Sequence, residues 1–292
     1  MNSDSQDRLT TLLTADGSAT FFSNAFGEAF HSIHGARQEA EAKFVLPARI
    51  REKAARQDCV NIIDVCYGLG YNSAAAIACI DALESRKPKL QIVALENNWQ
   101  VPKAAIASGL LDIWPQALVQ HLKVLAATKG VKTDRIDLSL LIGDARQTSQ
   151  NLPKTWADAI FLDPFSPPRC PQLWTVEFVS VLASCLKPDG YIVTYSCAAA
   201  ARTAMLAAGL EIGSSSPVGR KAPGTVAAFP HNDLPLLTEA EKEILQTRAA
   251  VPYRDPHLRD PAAVIIQRRQ VEQSCSNLES TSAWKRKRRQ RD

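Results

Sequence analysis

Val60-Asn61-Ile62-Ile63-Asp64-Val65-Cys66-Tyr67-Gly68-Leu69-Gly70-Tyr71-Asn72 is the stretch on which the reading of this 292-residue chain turns. A short apolar run meets an acid, a glycine-bearing turn follows, and an alanine-rich segment opens after it. That order reads as a first strand, a tight turn and a helix N-terminus, the opening of a nucleotide-binding α/β fold. Gly68 and Gly70 can take positive φ and let the backbone approach a ligand closely. The same order also serves a buried strand and turn that hold no cofactor. Residues farther along must separate the two readings.

The alanine-rich segment predicts a helix from Asn72 to Ser85. Leu90 to Leu95 reads as the second strand and ends at Glu96. An acid at that tip is placed to accept both ribose hydroxyls of an adenosine. Leu118 to Val124 is expected to be an inserted strand. Leu138 to Ile142 is a buried strand followed by Gly143-Asp144-Ala145. There the acid can sit beside an adenine, cap a helix, or do both. Ala157 to Leu162 is the next strand, and it ends in Asp163-Pro164-Phe165-Ser166-Pro167-Pro168. An acid at the carboxyl end of a central strand faces the crevice where open α/β sheets bind ligands. The prolines stiffen the loop that carries it. Trp174 to Leu186 reads as an amphipathic helix, Lys187 to Gly190 as a turn, and Tyr191 to Tyr195 as a fifth strand. Ala198 to Ala208 reads as a helix. Leu210 to Gly213 and Thr225 to Phe229 close the sheet as an antiparallel hairpin, with Gly219-Arg220-Lys221 in the connection. Strands and helices alternating in this way predict one doubly wound α/β sheet.

The two ends differ from that core. Thr20 to Asn24 reads as a short strand, and Ala40 to Gln57 as a helix broken near Pro47. Polar groups are dense between Asn24 and Glu39, which suggests a lid that faces a substrate. After Pro230 a capping box, Thr238-Glu239-Ala240-Glu241, starts a helix, and a final helix is expected at 261–273. The organisation expected is a lid at 1–58, a core at 59–230, a helical appendage at 231–273 and a disordered basic tail at 274–292. In that tail Lys285 to Arg291 places six cations in seven positions. Such a run repels itself, and it can serve as an electrostatic arm for nucleic acid or as plain solvated surface.

Composition narrows the classes. The hydrophobic fraction is 46% and the charged fraction 22%, as in an ordinary globule. No apolar run is long enough to span a bilayer. The first residues lack the basic and apolar regions of a secretion signal, so a cytoplasmic location is expected. The seven cysteines form no CxxC pair, and the five histidines do not join them at ligand spacing, so no metal is expected.

The Asp163-Pro164-Phe165 stretch resembles the Asp/Asn-Pro-Pro-Tyr/Phe loop of methyltransferases that act on amino nitrogen. More broadly, the chain resembles the methyltransferase half of the bifunctional tRNA 5-methylaminomethyl-2-thiouridine biosynthesis proteins, and more closely the stand-alone forms without the flavin oxidase half. The resemblance spans roughly 20–230. It is carried by Phe22 to Glu28, Ser32 to Glu39, Tyr67 to Asn72, Glu96, Gly143 to Ala145, Phe161 to Pro167 with Trp174, and Gly219 to Lys221. It implies a Rossmann-like class I methyltransferase fold, with a mostly parallel seven-stranded sheet and helices on both faces. It implies S-adenosylmethionine as cofactor, on Asp64, Tyr67, Gly68, Gly70, Asn72, Glu96, Gly143, Asp144 and Ala145. Asp163 and Phe165 would be the catalytic pair. Asn24, Arg37, Glu39, Arg220 and Lys221 would face a tRNA. The reaction implied is methylation of an aminomethyl nitrogen on the wobble uridine, with upstream modification enzymes acting separately.

Two departures from the family pattern concern the turn and the loop. Cys66 and Leu69 replace residues of the usual glycine-rich turn, and Pro164 and Ser166 alter the usual loop. Three other readings compete: an aminopropyl transferase of the spermidine-synthase type, a nicotinamide-dependent oxidoreductase, and an RNA-binding protein of this fold without catalysis.

Overall fold

A computed structural model describes residues 8–84, 87–217 and 222–289. The chain begins with β1 (Leu9–Leu13), β2 (Ala19–Ser23) and β3 (Glu28–Ala29), which form a small antiparallel sheet of their own. A one-turn helix, α1 (Ala36–Glu39), continues into a π-helical turn at Ala40–Val45. The helical path breaks around Pro47 as expected. It resumes as α2 (Ile50–Arg56) after Arg49, whose φ of 54° is left-handed.

The main sheet and its helices follow in order. They are β4 (Cys59–Val65), α3 (Tyr71–Asp81), β5 (Lys89–Glu96), α4 (Gln100–Ala107), α5 (Gln116–Thr128), β6 (Gly130–Lys132) and β7 (Ile136–Ile142). Then come α6 (Ala145–Thr148), β8 (Ala157–Leu162), α7 (Val176–Cys185), β9 (Leu186–Thr194), α8 (Ala199–Ala207), β10 (Glu211–Ser215) and β11 (Gly224–Ala228). The strand order is β10-β11-β9-β8-β4-β5-β7-β6. Strands β7, β5, β4, β8 and β9 run parallel, and β11 returns antiparallel between β9 and β10. The order reverses at β4, which pairs with β5 on one side and β8 on the other. That reversal places a ligand crevice at the carboxyl ends of β4 and its neighbours.

The central strands are apolar because both faces are covered. All six residues of β8 are buried, and six of the seven in β4. Successive residues feed opposite layers. Ile62 and Phe161 join one core, while Ile63 and Ile160 join the other. Helix α3 is buried almost all round because the α1–α2 segment packs over it. Its alanines let two layers approach on either side.

Among the described residues the sheet has eight strands where seven are expected. The extra one is β6, antiparallel to β7 at the edge. The inserted strand expected at Leu118 to Val124 is instead part of α5. Leu118, Val119, Leu122, Leu125 and Ala126 are the buried residues, a spacing of one helical face. The turn expected at Lys187 to Gly190 lies inside β9 as an irregularity, across which pairing with β8 shifts register.

Beyond the sheet lie α9 (Glu239–Ile244), α10 (Ala262–Cys275) and α11 (Thr281–Arg289). Helix α9 starts with the capping box read from the sequence. Its Glu241 also accepts from the fully buried Arg202 at 2.7 Å and from Ser214 at 2.7 Å. Burial alone would raise that carboxyl, but hydrogen bonds from Thr238, Ser214 and Arg202 hold it at about 2. The tail expected to be disordered is helical over 281–289. Trp284 donates Nε1–H to Glu243 at 2.9 Å, and Ser280 accepts from the Ala283 N–H at 3.2 Å, so the segment has both a dock and a helix start. Gly219, Arg220 and Lys221 lie outside the described residues. No helix among the described residues is long and apolar enough to cross a membrane.

Candidate active site

The carboxyl ends of β4, β5, β7, β8 and β9 open into one cavity of about 750 Å³, roofed by the β2–β3 hairpin. Its lining includes Cys66, Tyr67, Gly68 and Leu69 from the turn after β4, with Glu96 at the tip of β5. Asp144 and Ala145 follow β7, Asp163 to Ser166 follow β8, and Tyr195 follows β9.

The turn is the tightest piece of backbone. Gly70 has φ of 87° and opens α3; a methyl group there would lie 2.6 Å from the Tyr67 hydroxyl. Gly68 has φ of 56°, and a methyl group would lie 3.3 Å from Phe30 of the hairpin. Only glycine leaves this space open. Cys66 has φ of 66°, in the left-handed region that an L side chain enters at a cost of about 1–2 kcal/mol. The backbone thus keeps the shape of a glycine turn without a glycine at that position.

Glu96 is held by main-chain donors. Gly68 N–H donates to Oε2 at 2.8 Å and Asn98 N–H to Oε1 at 2.8 Å. Burial pushes this carboxyl up, and those two backbone bonds oppose the shift. Asp144 caps α6 by accepting from Arg146 N–H at 2.9 Å, so the helix-capping reading holds. Burial would raise its carboxyl, but the Arg146 guanidinium holds it below the usual carboxylate range. Arg146 also reaches Asp255 at 2.7 Å and the Asp260 carbonyl at 2.9 Å, which ties the appendage to the rim of the cavity.

The loop after β8 is fixed from four directions. Asn72 Nδ2–H donates to Asp163 Oδ2 at 2.8 Å. Tyr195 donates its hydroxyl to the Pro164 carbonyl at 3.0 Å, and Trp174 donates Nε1–H to the Phe165 carbonyl at 2.9 Å. Ser166 gives both its N–H, at 3.0 Å, and its hydroxyl to the Glu28 carboxylate. The Phe165 ring stacks on Phe26 at 4.3 Å and meets Phe30 edge-on at 5.0 Å.

The residues expected at the site therefore divide. Asp163, Phe165, Glu96, Asp144, Ala145, Tyr67, Gly68 and Glu39 line the cavity. Glu39 is buried there and accepts from Ser32 N–H at 2.8 Å. Asp64, Gly70, Asn72 and Gly143 stand behind the wall instead of in it. Asp64 is fully buried beneath the turn and accepts from the Ser73 hydroxyl at 2.6 Å. Burial lifts its carboxyl to about 7 against that bond. Asn24 is exposed and donates to the Arg8 carbonyl. Arg37 pairs with Glu41 at 2.9 Å and lies over the Trp114 ring at 4.5 Å, away from the cavity. Reading the sequence alone passes over Glu28, Phe26, Phe30, Tyr195 and Arg146 as site residues. Phe26 and Glu28 lie in the Phe22 to Glu28 stretch that carries the resemblance. Tyr195 gives no local signal, because its partner is 31 residues away, and the pairing of Arg146 with Asp144 two residues before it does not reveal the second one, with Asp255, 109 residues away.

The residues present fit S-adenosylmethionine. The cavity offers an acid at the tip of the second strand, a turn whose glycines keep it open, and an acid after β7. Gln172 also lines it, with an Oε1 that has no hydrogen-bond partner among the described residues.

Residues 104–230 match a family described as S-adenosyl-L-methionine-dependent methyltransferase. An uncharacterized protein of Methanocaldococcus jannaschii is 28% identical, covering 88% of this chain and 70% of its own. A tRNA 5-methylaminomethyl-2-thiouridine biosynthesis bifunctional protein of Chromohalobacter salexigens is 27% identical over 84% of this chain. The chain spans 35% of that bifunctional relative's length. The crystal structure of MNMC2 from Aquifex aeolicus is 31% identical, with a TM-score of 0.81 over 93% of this chain and 86% of that one. The fold, the cavity and this match together show that the chain belongs to the S-adenosyl-L-methionine-dependent methyltransferase family that includes MNMC2.

Proposed function

We propose that this chain methylates the aminomethyl nitrogen of a modified wobble uridine in tRNA, forming the 5-methylaminomethyl nucleoside with or without 2-thiolation. The observation that carries the reading is the Asp163 loop, held rigid across one cavity from Glu96, in a chain so similar to MNMC2. S-adenosylmethionine supplies a methyl group already activated on a sulfonium, so the protein's task is mostly alignment. Glu96 accepts the ribose hydroxyls, while Asp144 and Ala145 border the adenine. Asp163, fixed by Asn72, accepts a hydrogen bond from the substrate amine, orients its lone pair and takes the proton it loses. Phe165, braced by Phe26 and Phe30, walls the site against water. Asn24, Arg37, Glu39, Arg220 and Lys221 belong to the RNA side. Residues 1–58 act as the lid, 59–230 as the methyltransferase unit and 231–273 as its brace. The protein works in the cytoplasm, after separate enzymes have installed the amine. Aminopropyl transfer is not favoured: a probable spermidine synthase of Corynebacterium glutamicum also spans the chain, but at 14% identity and a TM-score of 0.50 it shares only the fold, against 31% and 0.81 for MNMC2.

The test pairs transfer with binding. The purified chain, given labelled S-adenosylmethionine and tRNA bearing 5-aminomethyluridine, is expected to yield the 5-methylaminomethyl nucleoside after digestion. In calorimetry, Glu96→Ala is expected to weaken cofactor binding roughly ten- to hundredfold, the scale of hydrogen bonds to a charged group. Cofactor binding without methyl transfer to that tRNA would overturn the substrate assignment.

A further inference from the structure

We infer that α11 is a docking face for the phosphodiester backbone of the RNA substrate; this rests on the reading of the chain as an RNA methyltransferase. The helix presents two different faces. One is docked: Trp284 donates to Glu243 at 2.9 Å, the Arg288 guanidinium lies 5.7 Å over the Trp284 ring, and Lys287 pairs with Glu279. The strand-like bridge between Thr247 and Glu279 and the bond from Arg248 N–H to the Glu279 carbonyl at 2.9 Å hold the lead-in. The other face carries Ser282, Lys285, Arg286 and Arg289, all exposed. Their spacing of i, i+3, i+4 and i+7 puts them on one stripe. Among the described residues, none of these three cations forms an ion pair, and the helix contains no acid.

Nearby cations differ, because protein groups already occupy them: Arg248 and Arg269 donate to backbone carbonyls. Arg254, Arg268 and Arg146 are each neutralised by an acid within 3 Å. Three unneutralised cations on a helix held in place lose little freedom when they meet a row of phosphates, unlike the same charges on a loose tail. The stripe contains no apolar residue, so it offers nothing to insert into a lipid surface. The platform is also joined to the active site. Helix α9, which docks Trp284, continues to the appendage that Arg146 ties to the cavity rim through Asp255. A polyanion bound on α11 is thus held by the same appendage that Arg146 joins to the amine site. Backbone contacts of this kind position an RNA without reading its sequence.

The experiment is a tRNA titration of the full chain across a salt series, wild type against the triple variant Lys285→Gln, Arg286→Gln, Arg289→Gln. Melting temperature and S-adenosylmethionine affinity serve as fold controls. The variant is expected to bind tRNA roughly tenfold more weakly at physiological salt. The slope of log affinity against log salt should fall by about 2–3, near one for each phosphate left without its cation. Restoring the charges as lysine at all three positions is expected to restore both values. An unchanged affinity and slope in a folded variant would overturn the inference, as would lost binding to vesicles of anionic lipid with tRNA binding intact. A wild-type chain that neither binds nor methylates the tRNA would instead fail the underlying reading, and this inference with it.

Discussion

The two walls of the cavity are built by opposite means. On the β4–β5 side, the acid Glu96 is fixed by main-chain N–H groups from residues within 28 positions of it. On the β8 side, the loop from Asp163 to Ser166 is fixed by side chains of Asn72, Glu28, Trp174 and Tyr195, up to 138 positions away. A wall made from backbone suits a cofactor whose shape does not vary, because the turn itself is the binding surface. A wall made from side chains can be aimed at one substrate atom, and each tether holds a different point of the loop. The contrast predicts that damage to either wall will show in a different measurement.

The largest effect is expected from Asp163→Ala. Turnover at saturating cofactor should fall by about 10²–10⁴-fold, the range for loss of a positioned acid–base group. S-adenosylmethionine affinity should stay within about threefold, because no main-chain donor of the opposite wall is touched. Calorimetry alongside single-turnover assays would check both. If cofactor affinity collapsed in a folded variant, the two walls would not be separable and Asp163 would belong to the cofactor's side.

The same contrast explains what is legible in the sequence. The strand–turn–helix around Gly68 and Gly70, the acid at Glu96 and the Asp163 loop are each contained in a few consecutive residues. Their chemistry can be read locally, and strand positions follow from apolar runs. The helix over Gln116–Thr128 reads partly as a strand because a short apolar run does not distinguish the two periods; the buried face becomes visible only when Leu125 and Ala126 are included. Asp64 looks like a ligand because it stands at a strand end, but its partner is Ser73 on α3, and the turn covers both. The basic tail reads as disordered from its charge alone. Trp284 and Glu243, 41 positions apart, supply the contact that orders it. Apart from the helix period, what escapes the sequence is a side-chain partner, nine positions away for Asp64 and 41 for Trp284, which no local pattern encodes.

An intermediate effect is expected from Trp174→Phe, which keeps an aromatic ring but removes the donor to the Phe165 carbonyl. Trp174 is fully buried, so the chain should lose about 1–3 kcal/mol of stability from the unmade bond and the vacated volume. Below the melting transition, kcat/KM should fall roughly tenfold, because a loosened loop misplaces the acid it carries. Cofactor affinity should hold. Denaturant melts and steady-state kinetics on tRNA would measure the two effects. A variant with normal kcat/KM would show that Asn72, Glu28 and Tyr195 suffice to aim the loop.

The smallest effect belongs to the backbone wall and appears as a pH dependence of stability. Asp64 lies under the turn with one carboxylate oxygen on Ser73 and the other without a hydrogen-bond partner among the described residues. Burial raises its carboxyl from 3.8 to about 7. Between those values the folded chain holds a proton that the unfolded chain has released, so this group makes folding less favourable as pH rises, with the full penalty above about 7. Asp64→Asn keeps the shape and the Ser73 bond while removing the charge. Its melting temperature should exceed that of the wild type by a few degrees at pH 8, and the gain should vanish toward pH 4. Scanning calorimetry at both pH values decides it. A gain that is equal at the two pH values would mean that Asp64 acts through packing, and a loss at pH 8 would mean that its charge supports the glycine turn above it.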